Sequence, residues 1–168
     1  HGFLGMSDNW KSHGKNFAAQ GYQMHLIDQR NHGRSFHDPV FNYEAMAKDL
    51  LTYCKYHKLD QVVLLGHSMG GKVAMYFSIY YNQLIKNLVV IDIAPKTYDN
   101  EHENIINALS EISTIKLESR KDATVILNNH HIPNSTSQFL LKNLFWSDSK
   151  KLIFRFNLSA IKNSMNHL

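Results

Sequence analysis

A chain of 168 residues, 43% apolar and 19% charged, is long enough to bury one core and too apolar to be a disordered segment. Its net charge of +4 comes from scattered lysines and arginines with no basic run and no interleaved aromatics, which argues against a nucleic-acid partner. No run approaches the roughly 18 apolar residues of a membrane span, and the single cysteine, Cys54, excludes an internal disulfide.

One unpaired cysteine fits a reducing compartment, so a cytoplasmic location is expected. The chain opens at His1-Gly2, inside what reads as a motif, and closes at His167-Leu168 without a terminating element. It reads as an internal piece of a longer protein.

In chain order, Asp8 can cap a helix over Asn9 to Gln20, with Gly21 placed to end it. Tyr22 to Asp28 reads as a strand, and Gln29 to Pro39 as a loop rich in Gly, Asn, Asp and Ser. From Tyr43 to His57, Met46, Ala47, Leu50, Leu51 and Cys54 recur at helical spacing, an amphipathic helix. Gln61 to Leu65 is an apolar run that suits a strand buried on both faces, as is Leu88 to Ile93, with a helix from Met69 to Tyr81 between them. This alternation predicts an α/β fold with a mostly parallel sheet flanked by helices. Ligands of such sheets bind beyond the carboxyl ends of the strands, where Ser68, Asp92 and the His1-Gly2 turn would lie.

After Pro95 the pattern changes. His102 to Ile112, Arg120 to Asn129 and Ser137 to Trp146 read as helices, and Lys151 to Asn157 alternates like a strand or extended arm. The expected organisation is a partial α/β core over 1–96 and a helical cap over 97–168 that shapes a substrate pocket. The alternative is that this block is simply more core.

The chemistry centres on Gly66-His67-Ser68-Met69-Gly70, which follows Val62-Val63-Leu64-Leu65 and precedes a helical segment. A strand-to-helix turn that sharp strains the serine backbone and leaves no room for Cβ atoms on either side, hence Gly66 and Gly70. Ser68 is the candidate nucleophile, with the backbone N–H of Met69 as one oxyanion donor. The glycines of His1-Gly2-Phe3-Leu4-Gly5 can turn a second N–H, that of Phe3, toward the site. A plain glycine turn is the rival reading. His67 points away from the serine at such an elbow and is expected to line the pocket or pack in the core. Asp28 and Arg30 are expected to tie loops together.

These residues together resemble the α/β-hydrolase superfamily. The likeness rests on His1-Gly2-Phe3-Leu4-Gly5 with Asn9-Trp10, on Asp28-Gln29-Arg30-Asn31-His32-Gly33-Arg34-Ser35, and on Gly66-His67-Ser68-Met69-Gly70-Gly71-Lys72. Val90-Ile91-Asp92-Ile93-Ala94-Pro95 narrows it to the small acyl-esterase branch that includes abhydrolase-domain-containing protein 11. The resemblance implies a serine hydrolase of carboxylic esters or thioesters, working through an acyl-enzyme without metal or organic cofactor, with Asp92 as the triad acid; the superfamily's rival acid position, after the following strand and beyond residue 168, stays open. A carboxylate in an apolar strand would also be costly unless paired. Apolar residues of the 97–168 block, Ile105, Leu109, Phe139 and Phe145, are the expected acyl contacts.

The family order of Ser, acid, His leaves His102, His130, His131 and His167 after Asp92, none in the Gly-His context of the family base. The base is therefore expected beyond residue 168. Adjacent His130 and His131 have the wrong spacing to hold a metal from one helical face. Two other readings stay open: hydrolysis of another bond on the same fold (lactone, C–C, perhydrolysis), or a non-catalytic binding module that keeps the elbow.

Overall fold

The computed structural model describes residues 1–98 and 102–165. The opening loop is closed by a bond of 3.0 Å from the Gly5 N–H to the Gly2 carbonyl, and a 3₁₀ turn at Ser7–Trp10 leads into α1 (Lys11–Ala19). Met6, not Asp8, holds the cap position, and Asn9 Oδ1 accepts its N–H at 2.8 Å. Asp8 sits in the first turn, where Lys11 (2.9 Å) and Arg34 (3.0 and 3.2 Å) take its carboxylate. Gly21, at φ +91°, follows the helix as its stop.

The strand expected over Tyr22 to Asp28 is absent: among the described residues this segment joins no ladder and stays irregular. A strand exists only through its neighbours' backbone bonds, and among the described residues no strand pairs with this segment to supply them; its Leu26 side chain meets α1, where a Cβ on Gly14 would lie 3.0 Å from it. The following loop is tied as expected. Arg30 binds Asp49 with two N–H groups (2.5 and 2.7 Å), and Asp28 accepts the N–H groups of Ser7 (2.6 Å) and Arg34 (2.9 Å).

Asn42 caps α2 (Tyr43–Tyr56) by accepting the Ala45 N–H at 2.8 Å. Of the predicted apolar face, Met46, Ala47 and Cys54 are buried. A βαβ unit follows: β1 (Val62–His67), α3 (Met69–Tyr80) and β2 (Ile85–Ile91), with the two strands parallel and Leu64 opposite Leu88. Ala47 and Cys54 of α2 meet Phe77 of α3 in a small core that Leu64 and Ile85 border. These helices cover only part of the sheet, so β1 and β2 are not buried on both faces as expected: Val63 is 50% exposed and Val89 37%.

The second half contains α4 (Glu103–Thr114), α5 (Arg120–Asn129), α6 (Asn134–Leu141), an antiparallel pair of β3 (Leu144–Trp146) and β4 (Leu152–Phe154), and α7 (Leu158–Asn163). The helix expected over Ser137 to Trp146 thus starts earlier, after Pro133, and yields to β3, because pairing with β4 satisfies the backbone that a longer helix would use. Leu144 at the start of β3 is buried, and exposure rises along the strand to Trp146 at its end. The two halves share one apolar cluster in which Leu4, Met46 and Val73 pack with Leu109, Leu127 and Leu140. Asparagines bind them further. Asn143 donates to the Leu4 carbonyl (3.0 Å), and Asn157 donates its backbone N–H to the Asn31 carbonyl (2.9 Å) and its amide to Asn31 Oδ1 (3.1 Å).

Candidate active site

The turn between β1 and α3 is as tight as its glycines demand. A Cβ on Gly66 would lie 2.2 Å from the Gly70 carbonyl oxygen, one on Gly70 would lie 2.6 Å from that of His1, and one on Gly71 would lie 2.5 Å from Ile93 Cγ2. All are closer than real Cβ contacts. Ser68 at the apex has φ +51° and ψ −122°, a conformation that costs a non-glycine residue about 1–3 kcal/mol. It persists because its backbone is held on both sides. Its N–H donates to Ile91 of β2 (3.0 Å), and its carbonyl accepts from Gly71 (2.8 Å) and Lys72 (3.1 Å).

The His1–Gly5 loop lies against this elbow. A Cβ on Gly2 would stand 3.2 Å from Ser68 Cβ and 3.1 Å from His67 Nδ1. Two histidines hold the loop. His1 Nε2 accepts the Gln29 N–H (3.0 Å), which leaves Nδ1–H to donate to the Gly2 carbonyl (2.9 Å). His32, fully buried, accepts the Leu4 N–H at Nε2 (3.2 Å) and donates Nδ1–H to the Arg30 carbonyl (3.0 Å). Burial pushes the His32 imidazole down to about 4, the neutral state that its acceptor role requires. Among the described residues, the Phe3 and Met69 N–H groups donate to no protein acceptor. Both expected oxyanion donors are thus left open.

A cavity of about 450 Å³ opens over Ser68. Of the residues expected at the site, Phe3, His67, Ser68, Ile105 and Phe139 line it. Leu109 and Phe145 do not. One turn on from Ile105, Leu109 faces inward and is fully buried, and Phe145 sits on β3 with the Arg155 guanidinium 4.3 Å from its ring centre. Met69 contributes backbone only, since its side chain is buried in the core.

Asp92 stands just past the end of β2, at φ +56°, with its side chain 85% exposed. The expected desolvation cost is therefore absent, because the carboxylate lies outside the strand. Its Oδ2 comes within 3.8 Å of His67 Nε2. The loop after it is pinned by Tyr98, whose hydroxyl accepts the Ala94 N–H (3.0 Å) and whose ring lies under the ammonium groups of Lys72 (5.1 Å) and Lys96 (4.8 Å).

The cavity also holds residues that sequence reasoning did not place there, among them Trp10, His13, His102, Thr136 and Leu140. His102 stacks on Phe3 with ring centres 4.7 Å apart and planes 13° apart, a contact between residues 99 positions apart that no local pattern announces. Trp10 had a signal in the Asn9-Trp10 pair. No group of three His, Cys, Asp or Glu side chains among the described residues could hold a metal.

Residues 1–147 match the family described as alpha/beta hydrolase fold. The chain belongs to that family. Esterase YbfF of Escherichia coli (strain K12) is 33% identical over 169 residues, covering 100% of this chain and 64% of the relative. The sn-1-specific diacylglycerol lipase ABHD11 of Danio rerio is 34% identical over 176 residues, covering 100% of this chain and 55% of the relative. A solved marine microorganism esterase superposes with a TM-score of 0.92 at 37% identity, covering 98% of this chain and 65% of that one. The chain therefore spans between about half and two-thirds of the length of these α/β-hydrolase relatives, which are esterases and lipases.

Proposed function

We propose that this chain carries the nucleophile of a serine hydrolase acting on carboxylic esters or thioesters. The observation that carries the reading is the strained Ser68 elbow, with two unengaged backbone N–H groups, Phe3 and Met69, beside it. Strain held by so many contacts exposes a hydroxyl and preorganises donors that a mere turn would not need.

In this reading Ser68 Oγ attacks the acyl carbonyl carbon and gives its proton to a histidine base. The Phe3 and Met69 N–H groups stabilise the oxyanion. Collapse breaks the bond to the leaving alcohol or thiol, which takes up the proton. Water then attacks the acyl-serine, releasing the acid and restoring the hydroxyl. Asp92 would orient the base, and Ile105, Phe139 and Leu140 would face the acyl group, with the 97–168 block as the cap. Among the described residues no side chain hydrogen-bonds the Ser68 hydroxyl. His102 is engaged flat against Phe3, and His130 lies 2.7 Å from Glu111. In the family order the base follows Asp92, and of the remaining later histidines His131 does not line the cavity and His167 lies outside the described residues, so the base in this reading is a histidine outside these 168 residues.

Intact-mass spectrometry of the natural gene product after a fluorophosphonate probe tests this. One adduct on Ser68 is expected, lost in Ser68→Ala and kept in His102→Ala. A folded protein that takes no adduct would leave a binding module on a hydrolase fold.

A further inference from the structure

A second cleft, of about 750 Å³, lies between the α1 entry and the α5–α6 region. Asn9 lines both this cleft and the cavity over Ser68. The same elements wall both spaces: Trp10 and His13 face the cavity while Lys11 and Ser12 face the cleft, and on α6 Phe139 faces the cavity while Gln138 faces the cleft.

The cleft is cationic. Lys11, Arg120 and Lys142 line it against one carboxylate, Asp8. That carboxylate is already neutralised: hydrogen bonds from Arg34 and Lys11 hold it down at about 2, and Arg34 supplies a cation from outside the cleft wall. Arg120 is fixed in place by donating to the Leu144 carbonyl at 2.8 Å, so its guanidinium keeps further N–H donors at a defined position. Among the described residues, the Ser12 hydroxyl, the Gln138 amide and the Lys142 ammonium have no protein partner. Fixed cations beside unengaged neutral donors are what a multivalent oxyanion requires, and the planar donor fork of arginine suits phosphate.

We propose that this cleft is an anion subsite that receives a phosphate group carried by the leaving-group side of the ester substrate. The inference rests on the ester reading of the Ser68 cavity. With the acyl group against Ile105 and Phe139, the leaving group is placed on the Asn9 side of the cavity, and Asn9 also lines the cleft. A phosphorylated leaving group thereby gains Coulombic attraction that a neutral ester lacks.

The test compares two esters of one acyl group, phenyl butyrate and its ring-phosphorylated counterpart, as ligands of the full-length Ser68→Ala protein, with inorganic phosphate titrated separately. The phosphorylated ester should bind at least about ten-fold more tightly. Arg120→Gln with Lys142→Gln should reduce that advantage to less than about three-fold and leave phenyl butyrate unaffected. Equal binding of the two esters would overturn the proposal, whatever the hydrolysis of neutral esters shows. So would binding of inorganic phosphate that the double variant does not weaken. If phosphate binds in an Arg120- and Lys142-dependent way but neither ester binds, the anion site stands and the ester reading falls.

Discussion

His32 shows how one side chain can couple the candidate site to pH. Its imidazole is fully buried, accepts the Leu4 N–H, and is pushed by burial from the usual 6.5 down to about 4. Above about pH 6.5 it is neutral in both folded and unfolded chains and has no effect on stability. As pH falls from there toward 4, the unfolded chain takes up a proton that the folded chain refuses, so stability declines with acid. The loss levels off below about 4, at a magnitude on the order of 3 kcal/mol. Urea unfolding at about pH 7 and about pH 5 should show a lower midpoint in acid, and His32→Gln should show a much smaller pH difference. A wild-type midpoint that does not move over this range would mean that the folded imidazole is not kept neutral. The same residue anchors the stretch that presents the Phe3 N–H, so acid should loosen the oxyanion loop before it unfolds the chain.

At the scale of elements, the junction between the two halves runs through Asn31. Its side chain donates to the Asp38 carbonyl (2.8 Å) and accepts the Asp38 N–H (2.9 Å), and its own backbone sits at φ +64°. Asn31→Ala loses those bonds and adds left-handed strain, a cost of about 3 kcal/mol. Asn31→Gly loses the bonds but not the backbone freedom, and should cost about 1 kcal/mol less. If denaturation finds glycine as damaging as alanine, the strain argument is wrong. This junction also marks what was legible. The helices over Tyr43–Tyr56 and Met69–Tyr80, the βαβ order and the Ser68 elbow could be read because local periodicity and glycine placement decide them. So could Phe3 beside Ser68, through its glycine-bearing loop. The fate of Tyr22 to Asp28, the β3–β4 pairing and the approach of His102 to Phe3 depend on partners far along the chain. Leu109 and Phe145 were misplaced for a related reason: apolar character marks burial without saying which face of an element meets the cavity.

For the molecule as a whole, the two parallel strands present an incompletely covered face. Val63, Leu65 and Val89 share one side of the sheet, since Leu65 pairs with Val89 and Val63 lies two residues before Leu65. They are 50%, 36% and 37% exposed. Tyr22, Met24 and Leu26 are also exposed, on a segment with no ladder among the described residues. Contiguous apolar surface and unpaired backbone favour association, because both lose water contact only against another surface. The 168-residue chain on its own should therefore enhance ANS fluorescence and grow in apparent mass with concentration in light scattering. Threonine has the β-branched shape that a strand prefers and carries a hydroxyl that water can satisfy. Replacing Val63, Leu65 and Val89 by threonine should thus lower both signals while leaving the Ser68 elbow intact, because these side chains face away from the α3 side of the sheet. A chain that is monomeric and does not bind the dye would show that this face is covered by the chain's own residues in solution. Reduced fluorophosphonate labelling of Ser68 when the three substitutions are placed in the natural gene product would show instead that the sheet face and the elbow are mechanically coupled.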